Sequence, residues 1–139
     1  MSVPDDCVRR HSEPEFAVQE HQSQVIFLNA TLLEVHQIEV DGCVYTDKDS
    51  KRCDWLVNVH GTDTSIFVEL KGSDIDGAYN QLAQTQLRLT DWVRRHIVWI
   101  ISYSGNPRFN SSIQILTIRA RRDYRARLRV EKSSYRYTL

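Results

Sequence analysis

The chain has 139 residues, 41% hydrophobic and 26% charged, and its 18 basic and 18 acidic side chains leave no net charge. This is the make-up of one globular domain large enough to bury a core without staples. No apolar run approaches the roughly 20 residues of a membrane span, and "MSVPDDCVRRHSEPE" lacks the apolar stretch of a signal peptide, so the expectation is a cytoplasmic protein with no membrane partner.

Residues 1–15 hold two of the three prolines and several acids and are predicted as a poorly ordered lead-in; residues 16–139 are predicted as a single domain. The next segment is ambiguous. Val25 to Leu28 form a short apolar run, and Leu32, Leu33 and Val35 suit either the close of a helix or the start of a strand. "VHQIEV" alternates at period two, with neither face purely apolar, and "DG" at 41–42 signals a turn. Residues 52–59 read as a strand, with Cys53, Trp55, Val57 and Val59 on one side and Asp54, Leu56 and Asn58 on the other. After a turn, 65–71 form the next strand, Ile66, Val68 and Leu70 against Phe67, Glu69 and Lys71. The short link makes the two an antiparallel hairpin, and Gly72 ends the second.

Ser73 or Asp74 then caps a helix in which Ile75, Ala78, Tyr79, Leu82, Ala83 and Leu89 share a face to about Thr90. "HIVWIIS", 96–102, is a continuous apolar run and reads as a central strand covered on both faces, with parallel pairing. Ile113, Ile115 and Thr117 alternate with Gln114 and Leu116, and the arginine-rich end reads as further strand or a mixture. The fold class is therefore α/β or α+β, a mixed central sheet with flanking helices.

The three cysteines are odd in number and lack a CxxC spacing, which argues against a disulfide framework or a zinc ribbon. Cys43 and Cys53 suit neighbouring strands, but small buried apolar residues is the plainer reading. The five histidines (11, 21, 36, 60 and 96) show no metal-ligand spacing. Neutral charge also hides a gradient: residues 1–50 contain ten acids and three bases, residues 119–139 eight bases and two acids. A local basic face suits a polyanion; a charged edge strand that resists aggregation explains it equally well.

The chemistry concentrates at the hairpin. Glu69 and Lys71 are two apart and project together, and Asp54 comes from the adjoining strand. Two close carboxylates repel, a hard cation removes the repulsion, and the Leu70 carbonyl adds a third oxygen. Mg²⁺ (or Mn²⁺) keeps several waters, one of which is a nucleophile against phosphorus. Lys71 would stabilise charge on the phosphate or orient the water. On the following helix, Gln81 lies nearer the apolar face than Gln84 and is expected to reach over the sheet towards Glu69 and Lys71. Arg88, two turns on, suits a backbone phosphate, as do Arg119, Arg121, Arg122 and Arg125.

The pattern Asp54-x14-Glu69-Leu70-Lys71, followed by a helix carrying Gln81-Leu82-x-x-Thr85, resembles the PD-(D/E)xK nuclease superfamily over residues 52–103. The resemblance implies a restriction-endonuclease-like core, a divalent metal held by Asp54 and Glu69, a catalytic Lys71 and a supporting Gln81. Thr85 stands where some branches have tyrosine. An acid from an N-terminal helix, common in the family, has Glu20, Glu34 and Asp41 as candidates here. The expected activity is metal-dependent hydrolysis of nucleic acid, DNA before RNA, alone, as a homodimer or with a partner protein. Two alternatives stand beside it: a non-catalytic nucleic-acid- or protein-binding module on the same fold, and a partner protein whose acidic half mimics nucleic acid.

Overall fold

A computed structural model describes residues 3–20, 22–71, 73–108 and 110–139; His21 and Gly72 lie outside them. Eleven elements follow in chain order: β1 (Val8–His11), β2 (Glu15–Glu20), β3 (Ser23–Leu28), β4 (Val35–Glu39), β5 (Trp55–Val59), β6 (Thr64–Lys71), α1 (Ile75–Arg88), β7 (His96–Tyr103), α2 (Ile113–Tyr124), β8 (Ala126–Lys132) and β9 (Tyr135–Thr138). Six strands form one sheet in the order β1-β4-β5-β6-β7-β8, and β2-β3-β9 form a second. Pairing is antiparallel from β1 to β6 and parallel from β6 to β8. The fold is thus mixed α+β, with the hairpin, helix and parallel strand in the expected order.

The six-stranded sheet is covered on both faces. On one, α1 and α2 pack through Ile75, Leu82, Leu116 and Ala120 onto Ile38, Leu56, Phe67, Trp99 and Ile101. On the other, Phe16, Val18, Val25 and Phe27 of the small sheet pack onto Val57, Ile66, Val68, Val98 and Ile100. Strands with two buried faces lose the polar half of their alternation, which accounts for the unbroken apolar run of β7.

Helix α1 begins where the sequence places it, with the Asp74 side chain accepting from the Gly77 amide at 3.0 Å. Four expectations are corrected. Residues 113–117 are the start of α2, not a strand: Ser112 caps it by accepting from the Ile115 amide, and Leu116 and Ala120, four apart, are its buried positions. The period-two reading followed isoleucines that are exposed. The lead-in 1–15 contains β1, which pairs with β4 along Val8↔Ile38 to His11↔Val35. Cys7 and Cys43 form a disulfide, leaving Cys53 as the buried free thiol. Cys53 also lies in the helix-side core with Leu56, away from Val57 and Val59, because the regular pleat starts only at Trp55.

Candidate metal centre

The hairpin register places Trp55 opposite Val68, and one further step sets Asp54 opposite Glu69. Backbone bonds hold Asp54 there: its amide donates to Val68 O at 3.1 Å, and its carbonyl accepts from Val40 and Asp41 at 3.0 and 3.3 Å. Its Oδ2 accepts from the Leu70 amide at 2.8 Å. An extended residue directs its N–H and C=O to the same neighbour, so the Leu70 carbonyl also faces this side. Lys71 Nζ lies 3.5 Å from Glu69 Oε2. Asp54 and Glu69 are 7% and 2% exposed, and the Lys71 side chain is 29% exposed, so the lysine stands at the mouth and the acids behind it.

Burial raises the Asp54 pKa first; the bonds from Glu69 and Leu70 oppose it, and Glu20 and Asp41 add to the rise. Glu69 is held well above the usual carboxylate range, by burial and then by Asp54, with Lys71 countering. Without a cation this pair favours a proton. A divalent ion reverses that preference by replacing the proton. Glu69 Oε1 and Gln81 Oε1 are buried acceptors with no hydrogen-bond partner, and an unpaired buried acceptor suits an ion or its water. The oxygen-only donor set, with one adjacent lysine, fits Mg²⁺ or Mn²⁺. Of the three candidates for an additional acid, Glu20 and Asp41 act on Asp54; Glu34 lies at the other end of β4, beside His60.

Helix α1 meets the segment that leads into Asp54. Gln81 Nε2 donates to Arg52 O at 3.2 Å, and Thr85 Oγ1 accepts from the Cys53 amide at 2.7 Å while donating to Gln81 O at 2.8 Å. Arg88 donates to Lys51 O at 3.3 Å and covers the Tyr45 ring at 5.7 Å. The Gln81 amide therefore grips the chain before Asp54, where the sequence pointed it at Glu69 and Lys71. Thr85, noted only as a departure from tyrosine, is the closer anchor of the acid.

The arginines stand elsewhere. Arg119, Arg121 and Arg122 are exposed on α2, and Arg125 is its left-handed C-cap. Arg122 donates to Asp123. Arg121 and Arg125 join Arg95, Arg127, Thr64 and His96 around a cavity of about 450 Å³. Thr64 pairs with His96 at one end of β6, and Lys71 with Tyr103 at the other. Thr64 lies five residues before Glu69 on β6, so the cavity is separated from the acids by roughly 17 Å at 3.3 Å per residue. Tyr124, placed among those arginines in sequence, packs on Trp99 and Tyr79, and Trp99 donates to Gln86.

The structure also assembles a group that the sequence reading did not. Glu34, His36 and His60 offer ligand atoms within 4.8 Å of one another. A local signal existed in Glu34-x-His36, two residues on one strand face; the third member needed the β4–β5 register. Set against protein-family models, curated proteins and solved structures, the chain matches none of them. The nuclease resemblance therefore rests on Asp54, Glu69, Lys71, Gln81 and the element order.

Proposed function

We propose that Asp54, Glu69, the Leu70 carbonyl and Lys71 form the centre of a metal-dependent nuclease that hydrolyses phosphodiester bonds, in DNA before RNA. The observation that carries this reading is the pair of buried, facing carboxylates with an unpartnered Glu69 oxygen and a lysine 3.5 Å away. When bound, Mg²⁺ or Mn²⁺ supplies charge neutralisation and a water acidic enough to attack phosphorus. The chain's own residues do the rest. Asp54 and Glu69 fix the cation against β6. Lys71, at the mouth, meets the charge that builds on the phosphate. Gln81 and Thr85 hold residues 52–53, so the Asp54 carboxylate does not swing.

A second reading, nucleic-acid binding without cleavage, is favoured by one observation: the arginine-lined cavity lies five strand residues away from the acids. It predicts binding that weakens steeply with salt and needs no metal.

Purified protein incubated with linear and circular DNA, and with RNA, in Mg²⁺ or Mn²⁺ separates the two. The nuclease reading expects cleavage that chelator stops and that Glu69→Ala and Lys71→Ala each abolish. Cleavage that survives both substitutions, or none with either metal, would sink it.

A further inference from the structure

We infer that Glu34, His36 and His60 form a second metal site, independent of the acidic one and selective for zinc-class transition ions. The placement follows from the sheet. Val35 pairs with Val59 and His36 with Asn58, so the next step sets Glu34 opposite His60, and the His60 amide donates to Glu34 O at 3.0 Å. Glu34 and His36, two apart on an extended chain, share a face. His60, across the pair, lies within side-chain reach of both.

The distances fit coordination better than hydrogen bonding. Glu34 Oε2 lies 3.6 Å from His36 Nε2 and 3.6 Å from His60 Nδ1. Both separations exceed a hydrogen bond. Tetrahedral zinc, with bonds of about 2.0–2.1 Å, sets its ligand atoms roughly 3.3–3.4 Å apart, so the two Glu34 separations need contract by only a few tenths of an ångström, and the two imidazole nitrogens lie within 4.8 Å of each other. The imidazole centroids are 4.1 Å apart and the rings tilted by 53°, which leaves neither ring stacked flat on the other. The His60 ring turns Nδ1 towards Glu34, and its Nε2, on the far side, is buried with no partner.

Two imidazoles and one carboxylate select Zn²⁺, Ni²⁺ or Cu²⁺ over Mg²⁺. With three protein ligands and Glu34 exposed to solvent, the remaining position belongs to water, the pattern of an open zinc site. Because the ligands come from two strands, the ion also ties the start of β4 to the end of β5.

The test uses the full chain stripped with chelator and titrated with Co²⁺ alone, followed by Zn²⁺. The expected result is one equivalent of Co²⁺ giving the visible bands of a four- or five-coordinate ion, bleached by Zn²⁺. Glu34→Gln and His60→Gln each lose the bands, and Asp54→Asn with Glu69→Gln keeps them. In the unsubstituted protein, the imidazole NMR signals of His36 and His60 shift on adding Zn²⁺, which keeps the test valid if a variant misfolds. Bands that persist in Glu34→Gln and His60→Gln, or zinc that leaves those two imidazoles unmoved, would overturn the site.

Discussion

The two ends of β5 make opposite use of the same sheet. At one, Asp54 and Glu69 are packed between α1 and the strands, with backbone amides and a lysine as neighbours. At the other, Glu34, His36 and His60 sit at the strand ends with Glu34 in solvent. The first is all oxygen and strongly desolvated; the second is mostly imidazole and half-open. Ligand chemistry and burial, rather than the fold, decide what each end can hold. Three of the four buried side-chain atoms without partners among the described residues belong to these ends: Glu69 Oε1, Gln81 Oε1 and His60 Nε2.

The sharpest way to break the comparison is to cross the variants. Glu69→Gln is expected to lower Mg²⁺-supported cleavage about 100-fold or more and to leave the Co²⁺ spectrum untouched. His60→Gln is expected to do the converse. A variant at one end that silences both would join the two sites and end the claim of independence.

Next in size is the Cys7–Cys43 disulfide, which closes a 36-residue separation. It ties the N-terminal edge to the loop after β4, near Asp41. Reduction is expected to cost ~2–4 kcal/mol of stability in urea titration and to lower cleavage more than zinc binding. A reducing cytoplasm would hold these two cysteines as thiols, so a thiol count on protein taken from cells bears on where it works.

Thr85→Val keeps the shape of a fully buried side chain but leaves the Cys53 amide unpaired. The expected loss is ~1–3 kcal/mol, with cleavage reduced because Asp54 follows Cys53. Valine at 85 with unchanged stability and activity would remove α1 from the positioning of the acid.

The smallest effect is the pH response of metal-free protein, and here the ends differ in sign. Raised acid pKa values at Asp54 and Glu69 give stability that is complete below about pH 4. It is lost as pH rises through the folded values. The lowered His36 value gives stability complete above about pH 6.5 and lost as pH falls through the folded value. Asp54→Asn with Glu69→Gln should flatten the alkaline limb of a Tm–pH curve, His36→Asn the acid limb, and Mg²⁺ should stabilise more at pH 8 than at pH 5.

Legibility followed contact range. The stretch from β5 to β7 is built from a hairpin and one crossover, so period two, the Asp74 cap and the apolar run of β7 located it from sequence. The small sheet escaped notice for two reasons: the β2–β3 hairpin is local, Glu20 opposite Ser23, but residues 21–22 carry no Asn-Gly or Asp-Gly turn signal, and β3 pairs in parallel with β9, Val25 with Tyr135, far along the chain. For α2, the exposed Ile113 and Ile115 imitated a strand, while the informative residues were Leu116 and Ala120. Asp54, Glu69 and Lys71 were legible since one hairpin register joins them. His60 was not, since its partners Glu34 and His36 come from a strand whose pairing with β5 the sequence did not assign.

Strand β5 has one more property. It is five residues long and paired on both edges, to β4 and to β6, so it neither stretches nor bends on its own. Asp54 and His60 flank it six residues apart, about 20 Å along an extended chain. The strand would therefore work as a gauge block: ions seated at its two ends would keep a fixed spacing, and a paramagnetic ion at one end would become a built-in distance marker for whatever docks at the other.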